Sequence, residues 1–254
     1  MSDPPMRSTA ASRVSVSAFG ALVVGMVATP LFAKAGSQRA ALAVLVVVSL
    51  FVCATADAVV THGSRALSVA AAVVVVTFCV EVIGSTTGFP FGEYDYGDAL
   101  VPQVAGVPVA VAFAWAGMTL VAHGTFASLV GGTLRRVALM AAAITAWDAF
   151  LDPQMVGEGY WTWAEASPAW RTIPLVNYLG WFATACITSF VALQILGVPP
   201  RVRTLPRSVY ATLAVLSTIG FVFFFDDITV ALVGGVAMGA GVVWSYVAPR
   251  RSTT

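Results

Sequence analysis

Residues 40–60 read AALAVLVVVSLFVCATADAVV, with Asp57 the only charged side chain in the run. A helix rises 1.5 Å per residue, so roughly 20 such residues cross a hydrocarbon core about 30 Å thick. Similar runs recur at 14–33, 66–84, 108–127, 134–151, 174–196, 207–225 and 228–247, which predicts about eight transmembrane helices. The count falls to seven if the last pair, parted by Asp226 and Asp227 alone, is one helix. It also falls to seven if the first run is a signal peptide cleaved near Ala33-Lys34-Ala35. That apolar run is long for a signal region, so it is read as a retained helix. The expected fold class is all-α: a polytopic membrane helical bundle, one membrane domain over 1–254 with short tails at 1–13 and 248–254. No internal repeat and no soluble domain is read.

Composition agrees with this reading. Of 254 residues, 59% are hydrophobic and 10% charged, against about 25% charged in soluble domains. A net charge of +1 gives no argument for nucleic acid. Cys53, Cys79 and Cys186 lie inside apolar runs without a paired spacing, which is neither a disulfide framework nor a zinc site. Two histidines are too few for a histidine-rich di-iron oxygenase, and Lys34, the only lysine, sits in a connection, which argues against a retinal Schiff base in a late helix.

Basic residues orient the bundle. With the N-terminus inside, Arg7, Arg13, Arg65, Arg135, Arg136, Arg201, Arg203, Arg207, Arg250 and Arg251 are cytoplasmic, leaving Lys34, Arg39 and Arg171 on the other side. The positive-inside rule then places both termini in the cytoplasm and the chain in the cell membrane. Three connections expected outside are acidic: Glu93, Asp95 and Asp98; Asp152, Glu158 and Glu165; Asp226 and Asp227.

The residues suited to chemistry crowd that outer half. Glu81 falls within an apolar run, where an ionised acid costs a few kcal/mol and so is paired, protonated or turned to a cavity. Asp148 and Asp152 are spaced to share a helix face, although Pro153 biases Asp152 into an exit turn. Asn177, near the start of the sixth run, can orient a water or bridge helices. Asp57 and His123 are expected at the opposite ends of their helices, away from the acids. Two connections interleave acids with rings: Phe89 to Gly97, and the stretch holding Tyr160, Trp161, Trp163 and Trp170. An interfacial aromatic belt accounts for them, and so does a polar re-entrant wall around a cavity. Gly235 and Gly239 form a GxxxG expected to pack helices.

Two stretches carry a family resemblance. Gly88-Phe89-Pro90-Phe91-Gly92-Glu93-Tyr94-Asp95-Tyr96 is followed by Gly106-Val107-Pro108 and Ala114-Trp115. Asp152-Pro153 is followed by Gly159-Tyr160-Trp161-Thr162-Trp163 and Pro174-Leu175-Val176-Asn177-Tyr178-Leu179-Gly180-Trp181. Together they resemble a carotenoid-biosynthesis membrane protein family that includes γ-carotene 1',2'-hydratase and bisanhydrobacterioruberin hydratase. The resemblance implies addition of water across the terminal C1'=C2' double bond of an acyclic carotenoid within the bilayer. That reaction needs a strong acid, a site tolerating a tertiary carbocation, and a positioned water, with no cofactor or metal. On this reading Glu81 or Asp148 is the acid and Asp152 or Asn177 holds the water. Glu93, Tyr94, Tyr96, Trp161, Trp163 and Trp181 are the expected substrate-binding residues, the aromatic faces among them suited to stabilising a cation.

Two rivals remain open. Asp148 and Asp152 superficially resemble the magnesium–diphosphate motif of an isoprenoid or prenyl transferase, but no second Asp-rich motif is present. Intramembrane acids also mark carriers, so a carotenoid-binding or transport protein is the other. Protein partners are not legible.

Overall fold

The computed structural model describes residues 6–165 and 167–248; the outer parts of both expected tails, including Arg250 and Arg251, lie outside the described residues. Eight helices follow one another among those described: α1 (Met6–Ala28), α2 (Ser37–His62), α3 (Arg65–Thr87), α4 (Val109–Phe126), α5 (Thr133–Gly157), α6 (Leu175–Leu196), α7 (Thr204–Phe223) and α8 (Ile228–Val247). Short strands β1 (Tyr94–Tyr96), β2 (Gln103–Val104) and β3 (Val107–Pro108) lie between α3 and α4. Their counterparts β4 (Trp161–Trp163), β5 (Ala169–Trp170) and β6 (Ile173–Pro174) lie between α5 and α6.

Seven of the helices are long and apolar enough to cross a membrane, so the chain is a multi-pass membrane protein. The one that falls short is neither the first nor one of the last pair. It is α5, in which Arg135, Arg136, Asp148 and Asp152 dilute the apolar residues. The last pair is separate because Asp227 caps α8, accepting bonds from the backbone N–H groups of Thr229 and Val230 at 3.1 Å each.

Helix α4 is the central element, every residue from Ala114 to Ala127 being buried. Outward faces are apolar instead of charged: Val24, Val75, Ile187, Val215 and Val236 are all more than half exposed, as a lipid-facing surface requires. Close helix approach uses small residues, not quite as expected. Gly235 meets Thr218 of α7 and Gly234 receives the Phe150 ring, but a Cβ at Gly239 would meet no other element within 4 Å among the described residues.

Two expectations are corrected. Helix α5 runs through Pro153 to Gly157, so Asp152 is helical and not in an exit turn. Proline removes one backbone bond, but Asp152 accepts three hydrogen bonds from outside its helix, which hold that turn in place. The second concerns repeats. Strands β1 and β4 pair antiparallel with Tyr94 opposite Trp163, Asp95 opposite Thr162 and Tyr96 opposite Trp161, a register that maps onto itself when the strands exchange. Each strand leads into a hairpin whose turn residues have positive φ, Ala105 and Gly106 in one and Arg171 and Thr172 in the other. Both hairpins close on a proline carbonyl, with Val109 N to Pro102 O and Leu175 N to Pro168 O each 3.0 Å. Glu81 and Asp148 stand at the same distance in sequence before β1 and β4. Residues 81–115 and 148–181 are therefore two halves related by a pseudo-twofold. Because α3 and α5 both end at the β1–β4 ribbon, its axis runs along the helices, as in parallel membrane repeats.

Candidate active site

Alternate residues of a strand share a face, so Tyr94 and Tyr96 of β1, and Trp161 and Trp163 of β4, turn into the bundle while Asp95 and Thr162 are exposed. Each pair grips one acid. Glu81, buried near the end of α3, has Oε2 accepting the Tyr94 and Tyr96 hydroxyls at 2.7 and 2.8 Å. Its Oε1 accepts the Trp115 indole N–H at 3.0 Å. Asp152 has Oδ1 accepting the N–H groups of Trp161 and Trp163 at 2.6 and 3.1 Å, and Oδ2 accepting the Asn177 amide at 2.6 Å. That same amide nitrogen donates to Asp148 Oδ2 at 3.0 Å, while Asp148 Oδ1 finds no partner among the described residues. Two carboxyls facing one nitrogen also settle which end of the Asn177 amide points at them.

The two acids differ in what surrounds them. All three groups facing Asp152 are N–H donors with no acceptor capacity in that direction, which suits a carboxylate anion. Two of the three facing Glu81 are phenols, which can accept as well as donate, so Glu81 Oε2 can carry a proton without losing its partners. Burial and the neighbouring Glu81 lift the Tyr94 and Tyr96 phenols above their ordinary range, so both keep their hydroxyl protons at neutral pH.

Both acids line one cavity of about 290 Å³, together with Asn177. Its wall is mostly apolar and includes a cluster of indoles: Trp115 stacks on Trp181 with centroids 4.2 Å apart, and Trp147 meets Trp181 edge-on at 6.3 Å. Trp115 and Trp181 occupy equivalent positions after the two hairpins. Val27, Leu31 and Ile219 line the cavity and are also 42–72% exposed, so it opens toward lipid between α1 and α7. The three ion pairs among the described residues are Arg39–Glu158, Arg171–Asp227 and Arg203–Asp57. None involves Glu81, Asp148 or Asp152, and among the described residues no lysine or arginine lines this cavity.

Of the residues singled out in the sequence, Glu81, Asp152, Asn177, Tyr94, Tyr96, Trp161, Trp163 and Trp181 meet at the cavity. Asp148 stands behind Asn177 and does not line it, and Glu93 is exposed on the surface, away from it. Asp57 is bonded to Arg203 at 3.0 Å and His123 Nε2 lies 2.7 Å from the Gly197 carbonyl. Both are buried at the end of the bundle opposite the ribbon. Sequence reasoning missed Trp147 and the bond from Trp115 to Glu81. Trp115 belonged to a quoted motif, but a tryptophan in an apolar run does not show what its N–H faces.

The family described as carotenoid biosynthesis protein matches this chain over residues 17–247. The chain belongs to that family. As a carotenoid-biosynthesis protein it carries every cavity residue, from Met26 to Phe225, inside the matched stretch. It is similar to a bisanhydrobacterioruberin hydratase of Haloarcula japonica, 25% identical over 177 residues, or 66% of this chain. The match spans 60% of that relative's length. No solved structure gives a significant match.

Proposed function

We propose that this protein is a carotenoid-modifying enzyme of the cell membrane that hydrates the terminal C1'=C2' bond of an acyclic carotenoid end, of the bisanhydrobacterioruberin or γ-carotene type. One observation carries the reading. One lipid-facing cavity with a stacked indole pair in its wall holds two carboxyls that no cation balances among the described residues. A buried uncompensated anion is costly, and a carbocation formed in the cavity supplies the missing charge at the moment of reaction. The hydratase activity of the Haloarcula relative agrees with it.

In this mechanism Glu81 gives its proton to C2', the π pair forms the new C–H bond, and the tertiary cation is left at C1'. Indole faces of Trp115 and Trp181 and the Asp152 carboxylate stabilise the cation. A water oxygen bonds C1' and its proton passes to Asp152. That proton passes from Asp152 back to Glu81 before the next cycle, so both groups end as they began. Asn177, joined to both Asp148 and Asp152, fixes the carboxylate and acts as a positioning residue. With the basic end of the bundle in the cytoplasm, the site lies at the outer leaflet and the rest of the polyene extends into the bilayer.

The test is a carotenoid mass profile from cells making acyclic precursors, with and without this gene. A gain of one water per reacting end supports hydration, and an unchanged profile with the protein well expressed overturns it. A transferase is disfavoured, because indole and amide N–H groups facing the aspartates repel Mg²⁺ and, among the described residues, no basic side chain lines the cavity for a diphosphate. The pseudo-twofold favours one second reading, since carriers are often built from such repeats. Bound carotenoid recovered at unchanged mass would mark a binding or transport role.

A further inference from the structure

A second recess of about 430 Å³ adjoins the first at the ribbon end of the bundle. Charged side chains make up much of its wall, where that of the first is mostly apolar. The Arg39–Glu158 and Arg171–Asp227 pairs face it, with Lys34 and Asp226 beside them. The two spaces share three residues: Gln154, Phe224 and Phe225. Gln154 lies on the same last turns of α5 as Asp152, half-buried, and lines both spaces. Phe225 packs against Gly220 and Phe221 and carries the Arg39 guanidinium 5.8 Å over its ring.

A hydratase has two substrates of opposite polarity. The carotenoid has a path from lipid between α1 and α7. Water has no comparable welcome there, since a water molecule dwells only where polar partners hold it. We infer that water reaches the cavity from the charged recess through the neck between Gln154 and Phe225, with the Gln154 amide as its relay beside Asp152. This inference rests on the hydratase reading. It makes Gln154 a positioning residue for the second substrate and Phe225 the side chain that sets the width of the neck.

The chemistry provides a readout. Once Glu81 has protonated C2', the cation has two fates. Water bonds C1' and loses a proton to Asp152, giving the alcohol. Otherwise an adjacent C–H bond breaks, its electron pair restores an alkene, and the proton returns to a carboxylate. In D2O the second route leaves deuterium in the recovered carotenoid without adding water. The ratio of deuterium exchange to hydration therefore reports water supply, separately from how much protein is folded and active.

The experiment uses the full chain in lipid vesicles, equilibrated in D2O and supplied with an acyclic carotene. Exchange and hydration are both read by mass. Gln154→Leu removes the relay and is expected to raise the exchange-to-hydration ratio about fivefold or more, the scale of one lost hydrogen bond. Phe225→Ala widens the neck and is expected to lower the ratio or leave exchange undetectable. Gln154→Met, of closer shape, replaces Gln154→Leu if that variant does not fold. Hydration by the natural protein with a ratio unmoved by the Gln154 variant overturns the neck alone. A natural protein that neither hydrates nor exchanges overturns the hydratase reading and the neck with it.

Discussion

The Asn177 amide nitrogen lies 2.6 Å from Asp152 Oδ2, tying the first turn of α6 to the last turns of α5. Its second hydrogen reaches Asp148, so one side chain satisfies two buried acids. Asn177→Leu leaves both without that donor. An unpaired buried acceptor costs about 1–3 kcal/mol, so the expected loss of stability is about 2–4 kcal/mol. Thermal unfolding in detergent measures it. Asn177→Asp is expected to be worse, because it adds a third carboxyl where donors are needed, and equal stability of the two variants would contradict the assigned bonds.

Glu81 and Asp152 are expected to respond differently to amide replacement. In Glu81→Gln the new oxygen still accepts from Trp115 and the new NH2 donates to the phenols of Tyr94 and Tyr96. The fold is kept, while the proton is gone, with a loss of hydration of about 10²–10⁴-fold. In Asp152→Asn the new NH2 must face a donor whichever way it turns, since indoles stand on one oxygen and Asn177 on the other. That variant is expected to lose stability as well as activity. Unfolding midpoints beside hydration rates separate the two, and a destabilised Glu81→Gln would contradict the donor assignment.

Much of this was legible in the chain. Lipid demands long apolar runs, so the helices stand out, and the spacing of Asp148 and Asp152 placed them on one face. What hid was long-range. The pairing of β1 with β4 joins two connections that carry no signal of each other. The pseudo-twofold preserves character and backbone geometry more than identity, Tyr-Asp-Tyr against Trp-Thr-Trp and Ala-Gly against Arg-Thr in the turns. Pro153 misled because local propensity predicts an ending, whereas the bonds that hold Asp152 in helix come from β4 and α6. Glu93 misled in the opposite sense, its neighbours turning inward while it faces out.

Thr172 shows the cost of one departure within the repeat. It has φ of 68°, in the left-handed region that a β-branched residue rarely adopts, where the equivalent Gly106 has φ of 78° at ease. The side chain is exposed, so little packing is lost when it is removed. Relief of roughly 1–2 kcal/mol of backbone strain outweighs the added freedom of an unfolded glycine, about 0.4–1 kcal/mol. Thr172→Gly is expected to raise the unfolding midpoint, and an unchanged or lower one would contradict the turn geometry.

Arg39 and Glu158 form a buried pair at the ribbon end. Arg39 also donates to the Thr29 and Pro30 carbonyls, and Glu158 accepts the Ala35 N–H, so the pair clamps the α1–α2 turn onto α5. Removing one partner strands a charge, and breaking such a pair costs about 3–5 kcal/mol. Arg39→Met and Glu158→Met are each expected to lose an amount of that order. Replacing both together removes both desolvation penalties and leaves only the orphaned backbone groups. The double variant is therefore expected to be more stable than either single one, a coupling that a double-mutant cycle of unfolding free energies measures. Additive losses would mean the two charges act independently, and the clamp would then rest on the backbone bonds alone.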